Sequence, residues 1–218
     1  MVVEPRQERS KVRREELLRA AIALRAEGGA RAVTHRAVAA RAGLPAASTT
    51  YYFDSIQQLT EEALALHVAD RVRELDAVVA EATAGGRSAE DVGARLAASL
   101  ADRATDVIVA QYEIYLEAVR NPKMRRTAAE AIDAFEQFAV VALKALGAPD
   151  PEGAAPAFVA LVDGFALHRL ARPRSRADEE AQLRRGLRAL FLAEVVAPDD
   201  LAPWTERLHR PIEPPPPG

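Results

Sequence analysis

Residues 33–59 read V-T-H-R-A-V-A-A-R-A-G-L-P-A-A-S-T-T-Y-Y-F-D-S-I-Q-Q-L: two short helical segments, a glycine-marked turn, and a hydroxyl-rich second segment closed by aromatics. That order describes a helix-turn-helix, a pair whose second helix enters a DNA groove. Thr34 is placed as N-cap of the first helix. Val33 outside it and Val38 at the fourth helical position have the spacing of a hydrophobic staple. Ala39 and Ala42 leave room for a crossing helix, and Gly43 falls where the turn demands a positive φ. Leu44 then plugs the gap between the helices. Pro45 suits the first turn of the next helix, so Ala46 to Tyr52 form the candidate reader.

On these residues the chain resembles the tetracycline-repressor (TetR) family of bacterial regulators over about residues 10–66. Thr34, Arg36, Val38, Ala39, Ala42, Gly43, Leu44, Ser48, Tyr52, Phe53, Ser55 and Leu59 occupy the pattern positions. Three positions depart. Pro45 replaces the usual hydroxyl N-cap, Thr50 the usual tyrosine, and Ile56 the lysine that meets a phosphate. The resemblance implies a homodimer that binds a near-palindromic double-stranded DNA operator and answers to a small-molecule effector, most often as a repressor.

The composition agrees with that outline. Net charge is −3, but residues 1–60 carry ten Lys/Arg against six Asp/Glu, while residues 61–218 carry nineteen against twenty-six. The positive end holds the motif, and phosphate neutralisation supplies most non-specific DNA affinity. Arginine scattered by a GC-rich genome is the competing account of the same asymmetry. The chain has no cysteine, which excludes disulfides and thiolate metal sites and fits a reducing cytoplasm. No run of 18 uncharged apolar residues occurs, so a cytoplasmic protein without membrane association is expected.

Apolar periodicity and Gly/Pro breaks predict an all-α protein of about nine helices. The first spans about 10–27, with Leu17, Leu18, Ala21, Ile22 and Leu24 on its apolar face. A long connector helix opens at Ser55, where Ser55 and Gln58 have capping-box spacing, and further helices cover about 88–100, 107–120, 124–146, 158–170 and 178–195. Pro156 predicts a kink or a late start. The expected division is a helix-turn-helix DNA-binding domain at 1–54, a helical ligand-binding and dimerisation domain at 55–197, and a Pro-rich tail at 198–218, extended or disordered, with tethering through Trp204 as an open alternative.

The candidate DNA-binding set is Thr34, His35, Arg36, Ala46, Ala47, Ser48, Thr49, Thr50, Tyr51 and Tyr52. Arg36 has two readings, a bidentate contact to guanine O6/N7 or a phosphate or solvated surface arginine. The small reader side chains suit thymine methyls and close backbone approach, with sequence choice leaning also on DNA shape. One of Tyr51 and Tyr52 is expected to face the phosphates and the other to be partly buried, while Phe53 packs inward. Arg6, Arg9, Lys11 and Arg13 form either a mobile arm over the phosphates or a plain solvated one. For the effector, the candidates are Tyr112, Tyr115, Phe135, Phe138, Phe165 and His168, with Phe158 beside them; most have an ordinary core role as the alternative. Asp163-Gly164 predicts a close helix approach, favouring dimerisation through a helix pair.

No cofactor, metal or catalytic constellation is expected. Glu206-x-x-His209 has one carboxylate-histidine spacing without a second copy, and no nucleophile elbow, HExxH or phosphate loop occurs. A helical carrier retaining a vestigial reader is the alternative from another class, favoured by Ile56.

Overall fold

A computed structural model describes residues 5–84, 86–196 and 200–201, apart from the side chains at 5, 6 and 123. The order of helices is α1 (Pro5–Gly28), a 3-10 turn (Ala30–Ala32), α2 (His35–Arg41), α3 (Ala47–Tyr52), α4 (Ile56–Ala84), α5 (Ala89–Ala101), α6 (Thr105–Arg120), α7 (Pro122–Ala145), α8 (Pro151–Ala171) and α9 (Arg176–Val195). Among the described residues there is no strand, and the all-α reading holds.

Local chemistry sets most helix ends. The Ala37 N–H donates to Thr34 Oγ1 at 3.1 Å, and Val33 and Val38 are both buried, so cap and staple form together. At the other end of α2, Leu44 N–H reaches Ala39 O at 2.9 Å and Gly43 N–H reaches Ala40 O at 3.1 Å. This is a Schellman closure, and it needs the φ of +67° that Gly43 adopts without a Cβ clash. Ser88 and Asp91 complete a reciprocal capping box on α5. Asp150 caps α8 with Pro151 in the first turn.

Three sequence expectations change. Helix α1 begins at Pro5, so residues 9, 11 and 13 lie on a helix and not on an extended arm. Helix α8 runs unbroken through Pro156, whose missing N–H falls within the second turn and interrupts only one helical bond. The capping arm of Gln58 lands one residue early: its Oε1 accepts from Asp54 N–H at 2.8 Å, while Gln58 N–H donates to Ser55 Oγ at 3.1 Å. Within the chain a close helix approach occurs at Gly186 of α9, where a Cβ would lie 3.0 Å from Leu161, while the space at Gly164 is open. The expectations for Trp204 and for Glu206-x-x-His209 lie outside the described residues.

Three groups of packed side chains organise the rest. Leu17, Leu18, Val33, Val38, Phe53 and Leu59 join α1, α2, α3 and the start of α4. Each such fully buried side chain contributes about 1.5–3 kcal/mol. Ala97, Leu143, Phe158, Leu183 and Leu187 join α5, α7, α8 and α9, and Leu64, Val68, Ile114 and Met124 join α4 to α6 and α7. Helix α4 contributes to both ends and physically spans them. Helix α8 is exceptional: it is long and apolar enough to cross a membrane by length and composition, with mean hydropathy 1.3, yet only 11% of that window is buried within the protomer.

Candidate nucleic-acid interface and cavity

The reader surface is built by two tight turns and one buried hydroxyl. Thr34 and Arg36 project from the exposed start of α2, and Ala46, Ala47 and Thr50 are exposed on α3 and its approach. Ser48 and His35 are half-buried. Tyr51 is 78% exposed and meets Tyr52 edge-on, ring centroids 4.9 Å apart. Tyr52 is half-buried and its hydroxyl accepts from Ser10 Oγ at 3.2 Å, so one tyrosine faces out and the other is tied to α1. Phe53 is buried beneath the Arg14 guanidinium, which lies 5.0 Å from the ring centroid.

Thr49 is a correction. It is 0% exposed, and its hydroxyl donates to His35 O at 3.1 Å. A side chain sealed between α2 and α3 has no route to a base, so Thr49 sets the angle of the reader rather than reading. Sequence reasoning took every α3 hydroxyl as outward because it ignored helical phase.

The second feature is a cavity of about 410 Å³ enclosed by α4, α5, α7, α8 and α9. Phe135 and Phe138 line it, as expected, together with Leu100, Phe158 and Phe191. The other proposed ligand residues sit elsewhere. His168 is exposed at the end of α8, and Phe165 borders a separate small cleft between α8 and α9. Tyr112 and Tyr115 are half-buried on α6: the Tyr112 hydroxyl donates to Asp163 O at 2.6 Å, and Tyr115 accepts from Gln111 Nε2 at 2.9 Å. Burial, then the nearby Asp163 carboxyl, pushes the Tyr115 phenol up to about 12 and raises Tyr112 as well. Tyr112 thus braces α6 against α8, while Tyr115 packs on the cluster that joins α4, α6 and α7.

Polar groups collect at one end of this cavity: Arg71 of α4 and Arg103 in the α5–α6 turn, both passed over in the sequence reading, and Asp163 of α8. Arg71 is buried, donating to Glu74 and to Ser99 O, both at 2.9 Å. Its legible signal was register, since Leu64, Val68, Arg71 and Leu75 form one apolar stripe. Arg103 had no such signal, because it sits in a turn. Arg25 was missed for the same reason as Arg71; it lies on the buried stripe of α1 and pairs with Glu117 across to α6.

With this geometry in place, two family models match. The description "Bacterial regulatory proteins, tetR family" covers residues 17–63, and "Tetracyclin repressor-like, C-terminal domain" covers residues 87–193. The chain belongs to the TetR family. A Streptomyces coelicolor A3(2) protein classed as a candidate transcriptional regulator is 33% identical, with 80% of this chain and 97% of that one covered and a TM-score of 0.59. A Rhodococcus candidate TetR-family regulator is 26% identical, covers 83% of this chain and 99% of its own, and has a TM-score of 0.69. The multidrug binding protein EbrR, crystallised with proflavin, is 30% identical over 80% of this chain and 99% of its own, with a TM-score of 0.51. No curated protein matches significantly. As a TetR-family chain this protein is a DNA-binding transcriptional regulator, with a helix-turn-helix at α2–α3 and a helical C-terminal body.

Proposed function

We propose that the protein is a homodimeric, ligand-responsive repressor that leaves a near-palindromic operator when a small, largely apolar effector enters the body. The observation that carries this reading is the single helix α4, which packs in the reader core through Leu59 and Ala63 and borders the cavity through Arg71 and Leu75. A ligand that moves the middle of α4 moves both readers. Half-sites lie about 34–36 Å apart, so a small change of reader spacing prevents simultaneous docking. Release follows only from the effector's preference for the DNA-incompetent arrangement.

The uncovered apolar surface of α8 and α9 supports a second copy as partner. Leu167, Leu192 and Val195 are 50%, 42% and 40% exposed in the single chain, and covering them makes a four-helix interface. The proposed working division is a reader at 1–54, a body at 55–197 and a tail at 198–218. Arg36 and Tyr51 are the proposed contacts of greatest reach, with Thr34, whose hydroxyl hydrogen is not used by its cap, on a phosphate.

Selection of bound fragments from the host genome, followed by salt titration, tests the reading. A regulator keeps a sequence preference and loses affinity steeply with salt. A carrier with a vestigial reader, the alternative that Ile56 favours, shows no preferred fragment. On the selected operator, Arg36→Ala is expected to cost about 1–3 kcal/mol and relax one base position. Equal weakening on all sequences reassigns Arg36 to a phosphate.

A further inference from the structure

The cavity has a chemical polarity that its apolar walls conceal. Helix α5 runs along it from Ser88 and Glu90 at one end to Leu100 and the adjoining Arg103 at the other. At 1.5 Å per residue these ends are about 20 Å apart. Phe135, Phe138 and Ala142 of α7 and Leu96 of α5 line the span between them. At the mouth end, Arg184 is exposed and Arg188 pairs with Glu90 at 3.1 Å. At the far end stand Arg71, Arg103 and Asp163.

At the far end one guanidinium lacks an ion-pair partner among the described residues. Arg71 has Glu74 at 2.9 Å. Among the described residues Arg103 has no carboxylate within 4.0 Å; its Nη2 donates to the neutral amide oxygen of Gln111, and its Nε is buried with no acceptor. A guanidinium keeps its proton in any protein environment, so burial does not remove this charge. Asp163, the nearest compensating group, is half-buried in the same wall without an ion-pair contact. Burial raises its pKa, and Arg103 lowers it to a lesser degree. Arg103 thus stands beside an apolar cleft with no carboxylate in contact among the described residues.

We propose that the effector is an amphipathic monocarboxylate, its apolar part along the α5–α7 wall and its carboxylate at Arg103. The inference rests on the reading of this cavity as the effector site. A planar carboxylate matches the guanidinium fork and supplies the ion-pair contact that Arg103 lacks. A neutral molecule leaves Arg103 unpaired in a drier cavity than before. A cation meets Arg71 and Arg103 head-on. At the mouth, where Glu90 pairs with Arg188, the charge of Arg184 also raises the local concentration of anions.

The test is calorimetric titration of the full-length dimer at pH 7.5 with three ligands of one chain length: decanoate, 1-decanol and decylamine. Decanoate is expected to bind at least tenfold more tightly than either of the others. In Arg103→Gln the ratio of decanoate to decanol affinity is expected to fall close to one. Asp163→Asn, which removes the competing carboxylate, is expected to strengthen decanoate at least threefold. Equal or tighter binding of decanol or decylamine, no binding by any of the three, or a decanoate preference that survives Arg103→Gln overturns the proposal. Should Arg103→Gln fail to fold by circular dichroism, Asp163→Asn decides: unchanged or weaker decanoate binding overturns it. Fragment selection on the same preparation separates the two readings. Selected DNA without decanoate preference sinks only the carboxylate; decanoate preference without selected DNA sinks only the regulator.

Discussion

Arg25 and Arg103 are both drawn away from water, and their surroundings differ in kind. At the seam between α1 and α6, Arg25 is 3% exposed, paired with Glu117 and bonded to Glu113 O at 3.3 Å. At the end of the cavity, Arg103 has Gln111 and no ion pair among the described residues. The first arrangement closes upon itself and fastens the reader to the body. The second is open to completion by something that the chain does not supply. A buried charge that holds an ion-pair partner is structural; one without such a partner beside a cavity marks a site.

The largest effect comes from breaking the closed case. Glu117→Leu leaves Arg25 buried and unpaired and is expected to cost about 3 kcal/mol, with most of it regained in the double variant Arg25→Met/Glu117→Leu, measured by urea denaturation. The same operation at the open site should do little: Arg103→Met is expected to shift stability by less than about 1 kcal/mol in either direction. A large loss there would show that Arg103 is structural after all.

Next in size is Thr49→Val, which keeps the volume but removes the bond to His35 O. Its expected cost is about 1 kcal/mol in stability, with DNA affinity reduced equally on every sequence. A changed base preference would mean that the hydroxyl reaches DNA. Gly93 on the cavity wall of α5 has open space where a Cβ would stand. Gly93→Ala is therefore expected to stabilise by about 0.5–1 kcal/mol in thermal unfolding, through helix propensity alone.

The smallest expected effect is on pH dependence. His67 of α4 has its pKa lowered by burial first and by the Arg103 charge second. The unfolded chain then binds the extra proton more readily than the folded one. Its contribution to stability is complete above the usual histidine value near 6.5 and declines as pH falls through the lower folded value. Unfolding midpoints between pH 7.5 and 5.5 should show this decline in the parent and a flatter profile in His67→Gln.

The reader was the most legible part of the chain because its determinants are local. Thr34, Val33, Val38 and Gly43 act on neighbours within a few residues, and cap, staple and left-handed turn all stand where the spacing placed them. Within the same segment Thr49 was misassigned. Its inward direction depends on how α3 crosses α2, and six residues carry too little pattern to set that phase. In the body, helix existence followed from Gly and Pro punctuation, but the direction of each side chain did not. Phe135 and Phe138 reached the cavity, while Phe165 and His168, equally plausible on a helix read alone, did not.

Helix ends, the positive turn at Gly43 and the helix-turn-helix signature are written in the linear chain, since hydrogen bonds and dihedral preferences over a handful of residues determine them. The cavity, the burial of Thr49, the seam at Arg25 and the unmatched charge of Arg103 were decided only by tertiary packing. Each depends on groups 14 to 92 positions apart in the chain, or on helices brought together by several cores at once, and no short-range preference encodes such distances.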